Sequence, residues 1–171
     1  MRRGVLRALG VVLLFVLFAA AGLCARTWGF GLARISGTSM NNTLRDGDVV
    51  LVTRFDYRDG RHPAFGDVAE CRFPGREDTY VKRVMGLPGD DIAFSQGFLT
   101  RNGEGVTEPY VSSVTDDYHI RLAEDQYLLL GDNRAESYDS RMTEIGPIGR
   151  DAFVGKVRCI VWPLSRAGRV E

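Results

Sequence analysis

The sequence has no surplus of charge of either sign: 22 Lys and Arg face 22 Asp and Glu. A nucleic-acid-binding domain needs a basic excess to meet phosphates, so no nucleic-acid partner is expected. Metal-ligating residues are equally scarce. There are 3 cysteines and 2 histidines, with no Cys-x-x-Cys and no Cys/His cluster, so neither a metal site nor a cofactor is expected. Gly131–Asp132–Asn133–Arg134 lacks the glycine spacing and the lysine of a phosphate loop. Cys24 lies in an apolar stretch, and Cys71 and Cys159 lie in β-like runs. The latter two either pair in an oxidising compartment or are small buried residues, and sequence alone does not place their Cβ atoms. Sustained helical periodicity is missing after residue 25, which excludes a helical bundle. The 20 glycines and several turn dipeptides point instead to many short strands.

What is present begins with one long uncharged run, Ala8 to Ala25. At about 1.5 Å per residue it makes a helix of about 27 Å, close to the thickness of a bilayer's hydrocarbon core. Arg2, Arg3 and Arg7 precede it, while Arg26 alone follows closely. The positive-inside rule therefore keeps the N-terminus cytoplasmic and exports the rest, with Trp28 and Phe30 at the interface. The expected organisation is a cytoplasmic tail (1–7), a transmembrane anchor (8–25), a juxtamembrane segment (26–34) and an extracytoplasmic β-rich domain (35–171). The chain is thus expected in the cell membrane as a single-pass protein with the lipid bilayer as a partner. A cleaved secretory signal competes, since the start is basic and Ala19, Ala20 and Ala21 are small. The length of the run favours a retained anchor. Leu23–Cys24 does not make a lipoprotein site, which wants a small residue before the cysteine.

Beyond Ile35 the pattern is one of strands. Asp48–Arg54 is apolar and β-branched, Asp67–Phe73 partly alternates, and Thr79–Met85 runs into the turn Gly86–Asp90. Ile92–Phe94 starts another strand. Asn102–Gly103 between Phe98–Arg101 and Gly105–Thr107 is a strong hairpin signal. Tyr127–Leu130 and Val154–Val161 complete the set, and the polar stretch 132–144 reads as a loop. The expected fold is mostly β, an N-terminal transmembrane helix followed by a coiled or barrel-like sheet domain.

Four segments carry the chemistry: Ile35–Leu44 with Gly47–Asp48, then Gly66–Asp67–Val68, then Tyr80–Asp90, then Gly131–Arg141. In this order and spacing they closely resemble the boxes of bacterial type I signal peptidases. The resemblance covers nearly the whole chain, including Glu108–Pro109–Tyr110 and the closing Trp162–Pro163–Leu164. By that resemblance Ser39 matches the nucleophile and Lys82 the general base of a Ser-Lys variant of the catalytic triad. The chemistry requires such a base, because a serine hydroxyl attacks poorly until its proton is taken. A free lysine is protonated at neutral pH, so Lys82 must be desolvated. On residue type alone, Ser39 is equally a turn serine and Lys82 a solvated strand lysine.

The resemblance further implies that Ser137 orients the lysine, and that Asp139 and Arg141 form an ion pair fixing its loop. Asp132, Asn133 and Arg134 read as structural. Ile35, Met40, Leu44, Tyr80 and Val81 match residues lining shallow substrate pockets, or are simply core. Gly37 stands where some members place a second oxyanion donor, giving the Gly-x-Ser-Met form in which a backbone group or water serves. Asn42 replaces the proline of the usual Ser-Met-x-Pro-Thr-Leu. Archaeal and endoplasmic-reticulum relatives carry His in place of Lys82, whereas His62 and His119 fall outside every box.

The implied function is a serine endopeptidase cleaving signal peptides of the A-x-A pattern from secretory preproteins. A processing peptidase for a narrow client set and an inactive anchored peptide-binding domain are the alternatives. A self-cleaving repressor-like protease shares the chemistry but wants a DNA-binding N-terminus in place of an apolar run.

Overall fold

A computed structural model describes residues 10–20, 22 and 29–170 of the chain. Twelve strands are described: β1 (Phe30–Arg34), β2 (Val49–Thr53), β3 (Val68–Arg72), β4 (Thr79–Gly86), β5 (Asp91–Ser95), β6 (Phe98–Arg101), β7 (Glu104–Gly105), β8 (Tyr118–Arg121), β9 (Gln126–Leu130), β10 (Ile148–Gly149), β11 (Phe153–Trp162) and β12 (Gly168–Arg169). The large sheet runs β1-β2-β11-β3-β4-β9-β10, with β12 on β11, and the small sheet runs β7-β6-β5-β8. The fold is mostly β, and its large sheet curls into a half-barrel.

The curl has local causes in β11. This strand pairs with β3 through Phe153–Lys156 and with β2 through Lys156–Trp162, with register shifts after Phe153, Val157 and Ile160. Such irregularities bend a strand and increase its twist. Gly155 allows the crossover, because a Cβ there would stand 2.6 Å from Val52 Cγ1 and 2.9 Å from Thr53 O.

Strands β4 and β9 are buried on both faces, and side-chain alternation divides their residues between two cores. Val84, Tyr127 and Leu129 join Cys71, Phe73 and Phe153 on one side. Met85, Leu128 and Leu130 join Ile92, Phe94 and Leu99 of the small sheet on the other. A third core of Ile35, Met40, Leu44, Val50, Val52, Val68 and Val157 lies under the β1–β2 connection.

The hairpin at Asn102–Gly103 forms with φ of 54° and 82°, the two left-handed residues of a primed turn. Within the stretch 26–34, Phe30–Arg34 forms β1, paired residue for residue with β2. Strand β8 fills a stretch that sequence left unassigned, pairing with β5. Cys71 and Cys159 are free thiols, so the optional bridge between them is not made.

Residues 10–20 are helical. Their eight large apolar side chains from Val11 to Phe18 are all exposed, from Val16 at 54% to Phe15 at 76%. Among the described residues no helix is long and apolar enough to cross a membrane. The rest of the 8–25 run lies outside the described residues apart from position 22, as do Arg2, Arg3, Arg7, Cys24, Arg26 and Trp28.

Candidate active site

Ser39 sits in the connection between β1 and β2. That connection is pinned at its base by Ile35 N–H to Asp48 O (2.8 Å) and Gly47 N–H to Ile35 O (2.9 Å). Within it Met40 O accepts from Thr43 and Leu44, coiling the chain immediately after the serine. Met40 and Leu44, 2% and 0% exposed, plug this coil into the core below. Ser39 itself stays half-buried.

Lys82 comes from β4. Its strand partner on one side is β3, whereas β9 pairs only with Arg83, Val84 and Gly86. The edge at Thr79–Lys82 is therefore open, and Lys82 lies at its inner end. Lys82 is 3% exposed and its Nζ donates to Ser39 Oγ at 2.5 Å. Burial lowers its pKa below the ordinary lysine value, against the opposing attraction of Asp139. A lysine held this way is chemically able to accept a proton from the hydroxyl it touches.

The loop after β9 grips the serine from behind. Asn133 donates its backbone N–H to Ser39 O (3.0 Å) and its Nδ2 to Thr38 O (3.1 Å). Gly131 makes this approach possible, since a Cβ there would lie 2.4 Å from Ser39 O and 2.1 Å from Ser137 Oγ. Asp139, fully buried, meets Arg141 through both carboxylate oxygens (2.8 and 2.9 Å) and accepts from Gly131 N–H at 3.0 Å. The Asp139–Arg141 pair thus ties the loop to its own root. Ser137 is buried, but its Oγ has no hydrogen-bond partner among the described residues. The bond to Lys82 that the resemblance implies is not made here.

Next to Lys82, Arg83 points to the opposite face and meets Asp132 at 2.7 and 2.9 Å, both side chains essentially sealed. Thr43 donates to the same carboxylate at 2.5 Å. The pair therefore joins β4, the serine coil and the loop after β9. Arg134 packs similarly, donating to Glu108 and to Gly131 O. Asp132, Asn133 and Arg134 are all structural in their contacts.

At Gly37 the N–H donates to Asp46 Oδ1 at 2.9 Å, and the residue takes φ of 94°. The Ser39 N–H donates to no group among the described residues. Asn42 has φ of 87°, a value closed to proline, whose ring fixes φ near −65°. Its Nδ2 reaches Tyr110 O (2.9 Å) and Ser112 Oγ (3.0 Å). The turn after the serine is thus fixed by the side-chain hydrogen bonds of Asn42.

A groove of about 450 Å³ opens over Ser39 and Lys82. Ile35, Met40, Tyr80 and Val81 line it. Leu44 does not, since it points into the core. Ala33, Glu70, Asp78 and Thr79 also line the groove and were not foreseen. The partial alternation of Asp67–Phe73 placed a strand at Glu70, but the register that sets Glu70 beside Val81 is a tertiary fact. His62 bonds Tyr127 Oη and His119 bonds Asp91, so neither meets Ser39. Among the described residues no three His, Cys, Asp or Glu are grouped to hold a metal.

Comparison with known proteins agrees with this architecture. The family model described as signal peptidase, peptidase S26, matches residues 6–162. A probable signal peptidase I-2 of Synechocystis is 31% identical over 168 residues, covering 94% of this chain and 75% of its own. Signal peptidase IB of Staphylococcus aureus is 34% identical over 151 residues, covering 77% of each. A crystal structure of a signal peptidase I from Enterococcus faecalis superposes with a TM-score of 0.51 at 27% identity. The match covers 56% of this chain and 97% of that one. The chain belongs to the signal peptidases of the peptidase S26 family.

Proposed function

We propose that this chain is a membrane-anchored endopeptidase that removes signal peptides from exported preproteins, with Ser39 as nucleophile and Lys82 as general base. The 2.5 Å contact between Lys82 Nζ and Ser39 Oγ, buried at the floor of an open groove, carries the reading. Neutral Lys82 takes the Ser39 proton as Oγ attacks the scissile carbonyl. The ammonium then returns that proton to the departing amine, leaving an ester on Ser39. Water, deprotonated by the same lysine, hydrolyses the ester and frees the serine. The Ser39 N–H is available to the oxyanion, whereas the Gly37 N–H is already committed to Asp46. An inactive binding domain would have no need for a buried lysine held against a serine.

The substrate lies extended between the open edge at Thr79–Lys82 and β1, adding a strand's hydrogen bonds. Ile35, Met40, Tyr80 and Val81 crowd the cut and leave room for small side chains at the first and third residues before it. These two point the same way from an extended peptide, which accounts for an A-x-A pattern. The exposed apolar helix at 10–20 supports an anchor in the lipid bilayer, with the arginines before it cytoplasmic and the peptidase domain extracytoplasmic.

The test is a double-mutant comparison on one preprotein. Ser39→Ala, Lys82→Ala and the double variant should each lose on the order of 10⁴ or more in kcat/KM, with the double no worse than the singles. Substantial activity in Lys82→Ala would mean a different base.

A further inference from the structure

We propose that Glu70 makes this groove select a hydroxyl-bearing side chain, Thr or Ser, at the third residue before the cut. The inference rests on the signal-peptide reading above and concerns which signal peptides the chain prefers.

Glu70 stands directly opposite Val81 in the β3–β4 pair, and directly opposed residues project to the same face. Both side chains line the groove, whose walls also include the apolar Ala33 and Ile35 and the polar Arg34 and Thr79. Glu70 is only 9% exposed. One carboxylate oxygen, Oε1, accepts the Thr79 hydroxyl at 2.9 Å. Among the described residues the other oxygen has no donor, and no cation pairs with the group. A largely buried carboxylate with one oxygen unclaimed is an acceptor awaiting a donor.

The position along the groove follows from strand spacing. Residues one and three before the cut lie about 7 Å apart on one side of an extended peptide. With the first beside Ser39 and Lys82, the third falls towards the Val81–Thr79 level, where Glu70 stands. A Thr there donates its hydroxyl to the free oxygen. A Val of the same shape covers the carboxylate with methyl groups, strips its water and returns nothing. Sites built to bond a hydroxyl discriminate against the analogue that lacks it. An Ala leaves room for water and is tolerated.

The experiment measures kcat/KM of the full chain on peptides identical except for Thr, Val or Ala at the third residue before the cut. The native chain should favour Thr over Val by about fivefold or more, a bond to a charged acceptor discounted for residual water. Glu70→Val should reverse the order. Glu70→Gln, which keeps an acceptor for Thr79 and so protects the fold, should leave an intermediate ratio. Ratios are taken within each protein, so any change in overall rate drops out. Cleavage of the Ala peptide with Val equal to or better than Thr overturns the assignment of Glu70 alone, as does a ratio indifferent to Glu70→Val. Failure to cleave any peptide, the Ala one included, contradicts the peptidase reading and overturns the proposal with it.

Discussion

At the scale of single residues, the chain's behaviour turns on Lys82. Its buried ammonium is disfavoured, so the folded state releases a proton that the unfolded chain still binds. Stability therefore rises with pH from the lowered folded pKa up to the ordinary lysine value of 10.5. Lys82→Met, which cannot titrate, should flatten that rise, as urea denaturation at a series of pH values would show. Activity should climb through the same lowered pKa, because only neutral Lys82 accepts the Ser39 proton. A rate flat across neutral and alkaline pH would exclude a lysine base. Ser137 poses a sharper question, since its buried hydroxyl is without a partner. Ser137→Ala removes an unsatisfied polar group, so Tm should hold or rise slightly. If Ser137 orients Lys82 once substrate is bound, kcat should nonetheless fall by about tenfold with KM little changed. Equal kcat in the variant would assign Ser137 to packing alone. The segments that carry Ser39 and Lys82 were legible in the sequence because they follow one another in a known order. Glu70 was not, because its place beside Val81 depends on the β3–β4 register, which no local pattern states.

At the scale of elements, strands with apolar alternation were legible, and the pieces that join them were not. Val49–Thr53, Thr79–Gly86 and Gln126–Leu130 bury enough branched and leucine side chains to declare themselves. Phe30–Arg34 and Tyr118–Arg121 each leave three or two residues exposed, so period-two burial is weak and both went unread. The contacts that hold the serine coil join residues distant in sequence. Arg83–Asp132 with Thr43 is the most sealed of them. Asp132→Ala would leave that buried guanidinium without its carboxylate, and a loss of about 3–5 kcal/mol is expected in chemical denaturation. The turn at Asn42 makes a second prediction. Asn42→Pro needs φ near −65° where the backbone stands at 87°, and it deletes the bonds to Tyr110 and Ser112. Both Tm and kcat should drop, whereas Asn42→Gly, which keeps the backbone angle, should lose less of each. A proline variant as stable as the native chain would contradict this turn geometry.

At the scale of the whole molecule, the curled sheet brings an open strand edge, a serine coil and a rigid loop to one groove. The helix at residues 10–20, with its exposed apolar side chains, is the proposed anchor. In intact spheroplasts the proposed topology predicts that a tag after Glu171 is accessible to added protease and a tag at residue 1 is protected. The reverse pattern would place the groove in the wrong compartment for exported clients. The mostly β character was readable from composition and turns, but the curl was not, because it arises from register shifts in β11. The most direct test of the account is to incubate the detergent-solubilised full chain with a panel of preproteins and sequence every new N-terminus. The account predicts one cut per preprotein, immediately after an Ala that has a small residue, Ala, Ser or Thr, two positions before it, and none with Ser39→Ala. Cuts at unrelated sites, or cleavage that survives Ser39→Ala, would contradict it.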